Sequence, residues 1–420
     1  MAGLAAAVTR RFPALASRDF VLFLVGQFVS VIGTWMQNTA QPYLAYRISG
    51  RPLDLGLIGF AATLPTLLLA LPAGVLVERW DKRRTVIIFQ AIMATQALGL
   101  AALTFTGHVQ IWHIAVFALL FGTASAVEIT ARQAMLIELA GREALPSAIA
   151  LQTTAFNVGR VIGPLTASWL LTTTGTEGSV FLANGLSFLF VIAGLVIAQT
   201  RYKVPRETQE PKSLGVEFRE GLVYIRKNTL VASIILMSAS VGFFGFPLIQ
   251  QIPALARDVL QTAADTEAVV ATRTSLLYAA QGAGALTAAL LAAYMSSSRN
   301  KGLMVTLGQV AFIFPLIALG YVPDLSLSLI LLSFIGWGTV TQLVSMNTLI
   351  QVSVPNGLRG RVFSVYLWAL QGVAPFGSLL IGWIAQNWGV PLAALTGGLV
   401  SLVTIGGLHL ASPGVRRAQA

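Results

Sequence analysis

Residues 74–84 read Gly-Val-Leu-Val-Glu-Arg-Trp-Asp-Lys-Arg-Arg, and long apolar segments lie on both sides of them. Six of the seven residues from Glu78 to Arg84 are charged, although charged residues make up only 10% of the chain. An apolar helix that enters a short charged loop and leaves it as another apolar helix is typical of a hairpin between two membrane spans. The stretch therefore predicts a helical membrane protein with several spans.

The composition agrees with this interpretation. Hydrophobic residues make up 55% of the chain and the mean hydropathy is +0.76, whereas soluble domains are about 45–50% apolar. At about 20 residues per span, the length allows about twelve transmembrane helices. We predict an all-α membrane protein with spans at 20–45, 53–77, 85–106, 110–137, 146–173, 178–199, 229–256, 274–295, 302–321, 326–351, 361–386 and 389–411.

The longest polar stretch divides the predicted spans into six and six. We expect an N-terminal half at 1–199, a linker at 200–228 and a C-terminal half at 229–420. Within the linker, residues 213–227 have the pattern of an amphipathic helix, with apolar residues at helical spacing. We expect this helix to lie on the inner membrane surface; a docking site for a partner is the alternative.

The two halves resemble each other weakly. At a shift of 213 residues, Leu145 meets Leu358 and Gly159 meets Gly372, as expected for two pseudo-symmetric six-helix halves. The second copy of the charged loop, residues 296–301, reads Ser-Ser-Ser-Arg-Asn-Lys and has no acid.

The Lys and Arg residues are distributed very unevenly over the predicted loops. With the N-terminus inside, 22 of the 27 lie in inner segments, four lie in outer segments, and Arg160 lies within a span. Basic residues concentrate on the cytoplasmic side of membrane proteins. We therefore expect a multi-pass protein of the plasma (inner) membrane with both termini in the cytoplasm.

The spacing G-x-x-x-acid-base-x-x-x-base-base of residues 74–84 resembles the signature loop between helices 2 and 3 of the major facilitator superfamily. One position differs, because the family usually has Gly where this chain has Asp81. The form E-R-W-D-K-R-R, together with residues 27–37, 131–134 and 359–361, resembles the branch that contains the enterobactin exporter and macrolide-efflux proteins. The resemblance implies the major facilitator fold.

The resemblance also implies a gating role for the loop. In the family, the acid at Glu78 helps to lock the two halves together on the cytoplasmic side. We expect Asp81 to cap the third helix, and Arg83 and its neighbours to be held by anionic lipids or by Glu78, because the helix dipole disfavours cations at that position. The alternative is that these charges only set topology. The candidate gating residues are Gly74, Glu78, Arg79, Asp81, Arg83 and Arg84.

Glu128 is the one acid placed well inside a predicted span. A charge at a helix centre costs about 2.5–3.5 kcal/mol on insertion scales, so it normally has a partner. Arg132 follows four residues later on the same helix face. Arg160 lies about 8 Å deeper on the next span, by the helical rise, and long side chains can bridge that difference. We expect a Glu128–Arg132–Arg160 cluster.

Exporters of this superfamily are usually driven by proton antiport. A proton carrier needs an acid whose pKa changes between states, and Glu128 is our candidate; a permanent structural ion pair is the alternative. Asp54 is a weaker candidate, since it is expected at the outer interface.

The fifth span resembles the antiporter motif G-x-x-x-G-P-x-x-G-G through Gly159, Gly163 and Pro164. Ala167 and Ser168 replace its last two glycines. In exporters this motif shapes the interface between helices 5 and 8, where Gly282 and Gly284 are candidate partners.

Uncharged amides and aromatic rings in the spans suggest a cavity for a bulky amphipathic substrate. Interhelical hydrogen bonding is the alternative role for the amides, because lipid offers them no partner. The candidate cavity residues are Trp35, Gln37, Asn38, Gln41, Asn157, Phe243, Phe246, Gln250, Gln281, Gln342 and Gln371.

We expect a secondary exporter, proton-coupled and acting by alternating access on a drug, macrolide or siderophore. The alternatives are a transporter or flippase for lysophospholipids or other lipids, and a receptor on the same fold. We expect small-molecule substrate, protons and membrane lipids as partners, a monomer, and neither nucleic acid nor any cofactor. The chain has no Cys and three scattered His residues, so we expect no metal site; no motif suggests an enzyme.

Overall fold

The computed structural model describes residues 11–198, 214–262, 265–295 and 300–418. The predicted linker residues 200–213 and most of the second copy of the charged loop lie outside these ranges. The side chain of Glu78 also lies outside the described part.

The chain from residue 11 to residue 198 forms a short 3-10 turn, Pro13–Ala16, and six long helices. They are α1 (Arg18–Ser49), α2 (Pro52–Arg79), α3 (Lys82–Phe105), α4 (Ile111–Ala140), α5 (Leu145–Thr174) and α6 (Glu177–Ile197).

The later part of the chain begins with α7 (Leu214–Lys227) and α8 (Thr229–Ser240). The segment from α8 to Val259, named here the broken helix, continues through two π-helical turns, Val241–Gly245 and Leu255–Val259, that flank short α-helical pieces. The remaining helices are α9 (Glu267–Tyr294), α10 (Lys301–Leu319), α11 (Leu325–Ser353), α12 (Asn356–Gln371), α13 (Ala374–Ala411) and the short α14 (Gly414–Arg417).

Ten described segments are long and apolar enough to cross a membrane. One of them, Asn356–Ala411, is long enough for two spans, and α5 is a further helix of 30 residues. The helices are therefore consistent with twelve spans. Below, the predicted inner end of a helix is the end next to a loop that the sequence predicts to be cytoplasmic, near residues 80, 142, 297 and 355, and the predicted outer end is the opposite one.

The eleventh predicted span, 361–386, is not one helix. α12 ends at Gln371, and α13 begins at Ala374. α13 then contains a non-helical residue, Gly389 (φ 86°, ψ 159°), a conformation that side chains disfavour and glycine adopts easily. The break between the last two spans therefore lies where it was predicted, but an additional break divides the eleventh.

The residues form two compact units by their contacts. Unit 1 contains residues 1–41 and 68–210, and unit 2 contains residues 42–67 and 211–420. Unit 2 thus includes the last turns of α1 and the first half of α2. The predicted division at residues 199 and 229 stays a prediction.

In unit 1, α3 packs against both α4 and α6. The contact is built from Met93, Ala97, Ala124 and Phe188, all buried. Small residues opposite large ones let the helices approach closely. Because lipid tails are as apolar as the side chains, close packing of this kind is a main source of helix association in a membrane.

In unit 2, α9 and α10 both pack against α11. The amphipathic helix α7 packs against α12: the backbone of Arg361 lies against Gly221, and the Arg361 guanidinium pairs with Glu220. The Tyr224 hydroxyl donates to Ser353 O (3.4 Å). The described part of the linker helix is therefore docked on its own chain, and its expected position on the membrane surface stays a prediction.

Candidate functional site

Glu128 is buried in α4, with 3% of its surface exposed. Its Oε1 accepts from Arg132 Nε (3.0 Å) and from Gln90 Nε2 of α3 (3.0 Å). The predicted contact with Arg132 is confirmed, and Gln90 is a partner that the sequence did not indicate. The Arg132 side chain is 15% exposed and that of Glu128 4%, so the pair reaches the protein surface only on the arginine side.

Arg160 does not join this pair among the described contacts. Its Cζ lies 5.3 Å from the centre of the Trp35 ring, and its Nε is buried without a hydrogen-bond partner. Trp35 also contacts Phe156 edge to face (5.5 Å). The expected three-residue cluster was therefore wrong in its third member, because α5 directs Arg160 towards α1, where an aromatic face attracts the cation.

The charged loop is held from within unit 1. Asp81 Oδ1 accepts from the backbone N–H of Arg84 (2.7 Å), which confirms the predicted cap of α3. Lys82 pairs with Glu138 of α4 (2.8 Å), and Arg83 donates to Val196 O of α6 (2.9 Å). Protein groups thus hold two of the three cations for which lipid or Glu78 was expected. The gating role itself stays a prediction, as does that of Gly74 and Arg79.

The glycines of the antiporter-like motif pack α5 onto α1. A Cβ at Gly159 would lie 2.6 Å from Val31 Cγ1, and one at Gly163 would lie 2.4 Å from Trp35 Cβ. Pro164 is buried beside them. The glycine proposed on the other side, Gly284, instead contacts Ser333 O of α11. The described close partner of the motif is therefore the first helix.

Most of the predicted cavity amides of unit 1 are used by neighbouring groups. Gln37 donates to Gln41 Oε1 (2.9 Å) and accepts from Asn184 Nδ2 (2.7 Å). Asn157 donates to Thr153 O of its own helix (2.9 Å). The structure favours the packing role for these buried side chains, whereas Asn38 is exposed.

The predicted cavity residues of unit 2 have varied surroundings. Gln281 and Gln342 are buried with amide atoms that lack hydrogen-bond partners in the described part. Gln250 lies against Gly59, and Gln371 is exposed. Phe243 and Phe246 lie half-buried in and next to the first π-helical turn of the broken helix.

Sequence reasoning missed an ionic cluster at the predicted outer end of unit 2. The Tyr46 hydroxyl of α1 donates to Asp258 Oδ2 in the second π-helical turn (2.5 Å). The Tyr43 hydroxyl donates to Glu267 of α9, and Arg257 pairs with the same carboxylate. We name these five residues the outer cluster. The run of charges between residues 257 and 273 was a signal in the sequence, but nothing local connects it to two tyrosines over 200 residues away.

The outer cluster contains a perturbed acid. Burial raises the pKa of the Asp258 carboxyl above its ordinary value, against the opposing effects of the Tyr46 hydrogen bond and the charge of Arg257. Nearby, the backbone N–H of Thr262 and the Arg273 guanidinium lower the pKa of Asp265. The pKa values of the two carboxyls are therefore shifted in opposite directions.

A second polar pair in unit 2 was also missed. His409 Nε2 lies 2.6 Å from Gln309 Oε1, and both residues are buried. A histidine in a membrane span is a candidate for function; its signal in the sequence was its position within the last predicted span.

Comparisons with known proteins agree with this architecture. The family model described as "Transmembrane secretion effector" matches residues 9–417. The multidrug efflux pump Tap of Mycolicibacterium fortuitum is 24% identical over 389 residues, which cover 91% of either chain. The enterobactin exporter EntS of Shigella flexneri is 23% identical and covers 93% of this chain and 90% of its own.

Solved structures of transporters share the fold. A bacterial homologue of the human lysosomal transporter Spinster, in an inward-facing and unoccupied conformation, superposes with a TM-score of 0.67 at 14% identity; the match covers 95% of this chain and 97% of the other. The nucleoside transporter NupG gives a TM-score of 0.69 at 14% identity, over 94% of this chain and 98% of the other. The expected major facilitator fold is confirmed. The chain is thus a multi-pass membrane transporter that belongs to the transmembrane secretion effector family of the major facilitator superfamily.

Proposed function

We propose that the chain exports a bulky amphipathic compound in exchange for protons. The observation that carries the proposal is the Glu128–Arg132–Gln90 arrangement, a carboxylate buried in unit 1 with one cation and one neutral donor. The names of the relatives, a multidrug efflux pump and an enterobactin exporter, support export and a large substrate.

The chemistry of the pair suits a proton carrier. When Glu128 is ionised, its charge is balanced by Arg132, and the neutral amide of Gln90 donates a second hydrogen bond. When Glu128 takes up a proton, the neutral carboxyl no longer attracts Arg132, whose partly exposed side chain is then released to move towards the protein surface. Protonation and the position of the Arg132 side chain are therefore coupled, and a coupled movement is what antiport requires.

The outer cluster supports alternating access. Tyr43 and Tyr46 of α1 are buried against the broken helix and α9, and each hydroxyl is bonded to a carboxylate. In the proposed cycle these contacts hold the predicted outer end closed and separate when it opens. The π-helical turns of the broken helix are suited to this role, since such turns are frequent at functional sites.

We also propose that the protein lies in the plasma (inner) membrane with both termini in the cytoplasm. The distribution of Lys and Arg between the predicted loops supports this orientation.

The proposal is tested by proton movement in proteoliposomes that carry an imposed pH gradient and an internal pH-sensitive dye. Cationic dyes, macrolides and catecholate siderophores are added in turn. We expect one class to trigger proton flux, which would establish antiport and the substrate class together. Folded and correctly oriented protein that gives no flux with any of them would contradict the proposal, and fluorescent lysolipid would then test lipid transport.

A further inference from the structure

Unit 2 contains an open groove that the proposed export does not use. Its volume is about 430 Å³, within the range of about 300–1,000 Å³ that is common for ligand pockets. α9 and α10 form its walls, and α11, against which both pack, forms its floor. It lies towards the predicted inner end, since its wall residues come from the last turns of α9 and the first turns of α10.

The groove opens towards the lipid-facing side of unit 2. Leu307, on its rim, is 44% exposed and belongs to a stripe on α10 with Leu303, Val310 and Phe314, all about half exposed. A stripe of large exposed apolar residues at helical spacing is the face that a membrane helix presents to lipid. Leu291, on the opposite wall, is 47% exposed. Acyl chains of the bilayer therefore have direct access to the groove.

The polar groups of the groove have a defined distribution. Along its floor, Trp337, Thr341 and Ser345 follow one face of α11. Among the twelve described residues that line the groove, Lys301 alone is charged. Its Nζ donates to Met295 O (3.1 Å), which fixes the ammonium between the ends of α9 and α10.

We propose that this groove binds an anionic phospholipid of the leaflet at the predicted inner end. One acyl chain lies between α9 and α10 over Trp337, and the phosphate lies at Lys301. The apolar walls select an acyl chain, and the positive charge of Lys301 at the described part of the mouth selects an anionic head group. The inference does not depend on proton coupling or on the exported compound.

Trp337 provides the probe. The full chain is reconstituted into vesicles of phosphatidylcholine and phosphatidylglycerol in which either lipid carries brominated acyl chains, with the bulk composition unchanged. The fluorescence quenching by bromine that the wild-type protein shows and Trp337→Phe does not is the quenching of Trp337 itself. One basic residue near the surface enriches an anionic lipid about fivefold, so we expect brominated phosphatidylglycerol to quench Trp337 far more than brominated phosphatidylcholine.

Variants separate the head-group site from the chain site. Lys301→Gln is expected to abolish the preference for phosphatidylglycerol, and Lys301→Arg to keep it. Ala292→Phe, which fills the groove, should reduce the quenching of Trp337 by both lipids; Ala293→Phe, on the adjacent exposed position that does not line it, should not. Equal quenching of the wild-type protein by the two lipids, or a preference that survives Lys301→Gln, would overturn the proposal.

Discussion

At the scale of single residues, the proposed proton coupling depends on the carboxylate of Glu128. It is buried, and both of its described partners bond to the same oxygen, Oε1. The cation comes from one turn further along α4 and the neutral donor comes from α3. The site therefore stays intact only while α3 and α4 stay packed.

Removing the cation alone should destabilise the protein. Breaking a buried ion pair costs about 3–5 kcal/mol, because the remaining charge is left uncompensated. We expect Arg132→Met to lower the Tm clearly, and the double variant Arg132→Met with Glu128→Gln to recover most of the loss. Thermal unfolding in detergent measures both.

The matched control is the more exposed Lys82–Glu138 pair, which joins the start of α3 to the end of α4. Lys82→Met breaks the contact between these two side chains, which are 25% and 17% exposed. It should lower the free energy of unfolding by no more than about 1 kcal/mol. Equal losses at the two sites would show that burial of Glu128 has no energetic consequence.

Sequence reasoning succeeded at this scale where partners share a helix. The Asp81 cap and the Glu128–Arg132 contact both lie within four residues, a range in which helical geometry fixes the relation. It failed for Arg160, since the direction in which α5 points a side chain depends on how α5 rotates against α1. The sequence pattern of neither helix predicts that rotation.

At the scale of elements, the contact between α1 and α5 depends on a missing side chain. A Cβ at Gly163 would meet Trp35 Cβ and also lie 2.9 Å from Ile32 O. Gly163→Ala should therefore push the helices apart and cost about 1–3 kcal/mol, the usual effect of overpacking.

Thermal unfolding again provides the measurement, and Gly406→Ala is the control. A Cβ at Gly406 has open space around it, so this change should be neutral or slightly stabilising by helix propensity. A loss at Gly406 as large as that at Gly163 would contradict the packing explanation.

The outer cluster should respond to pH. With the cluster closed, burial raises the pKa of Asp258, whereas an opened cluster returns it towards its ordinary value. The closed form therefore binds more protons, and closure becomes more favourable as the pH falls through the range between these two pKa values. Above that range, burial of the charged carboxylate opposes closure.

Nitroxide labels at Ile48 and Val269 report this equilibrium. Both positions are about 40% exposed on the helices that the cluster joins, and the chain has no cysteine to replace first. We expect the distance between the labels to shorten in acid, and Asp258→Asn to remove the pH dependence. A pH response that is unchanged in Asp258→Asn would assign the effect to another group.

At the scale of the whole molecule, hydropathy and charge were sufficient to predict the class and nearly all helix positions. The predicted spans and the observed helices agree closely through α6, because runs of about 20 apolar residues have one stable form in a bilayer. The breaks in the broken helix and at residues 372–373 were not predicted, since they depend on close packing against neighbours such as Leu370 O at Gly242. The amphipathic pattern correctly predicted helix α7. Its packing against α12 was not predicted, because the contacts join residues that are far apart in the chain.

The most direct test of the account is export driven by a pH gradient in Glu128→Gln, compared with Glu138→Gln on the same helix. Both changes remove one carboxylate from α4, but only Glu128 has the buried pair. We predict that Glu128→Gln binds substrate and folds normally but loses the dependence of export on the gradient, while Glu138→Gln keeps it. Gradient-driven export that continues in Glu128→Gln at the wild-type rate would contradict the central claim.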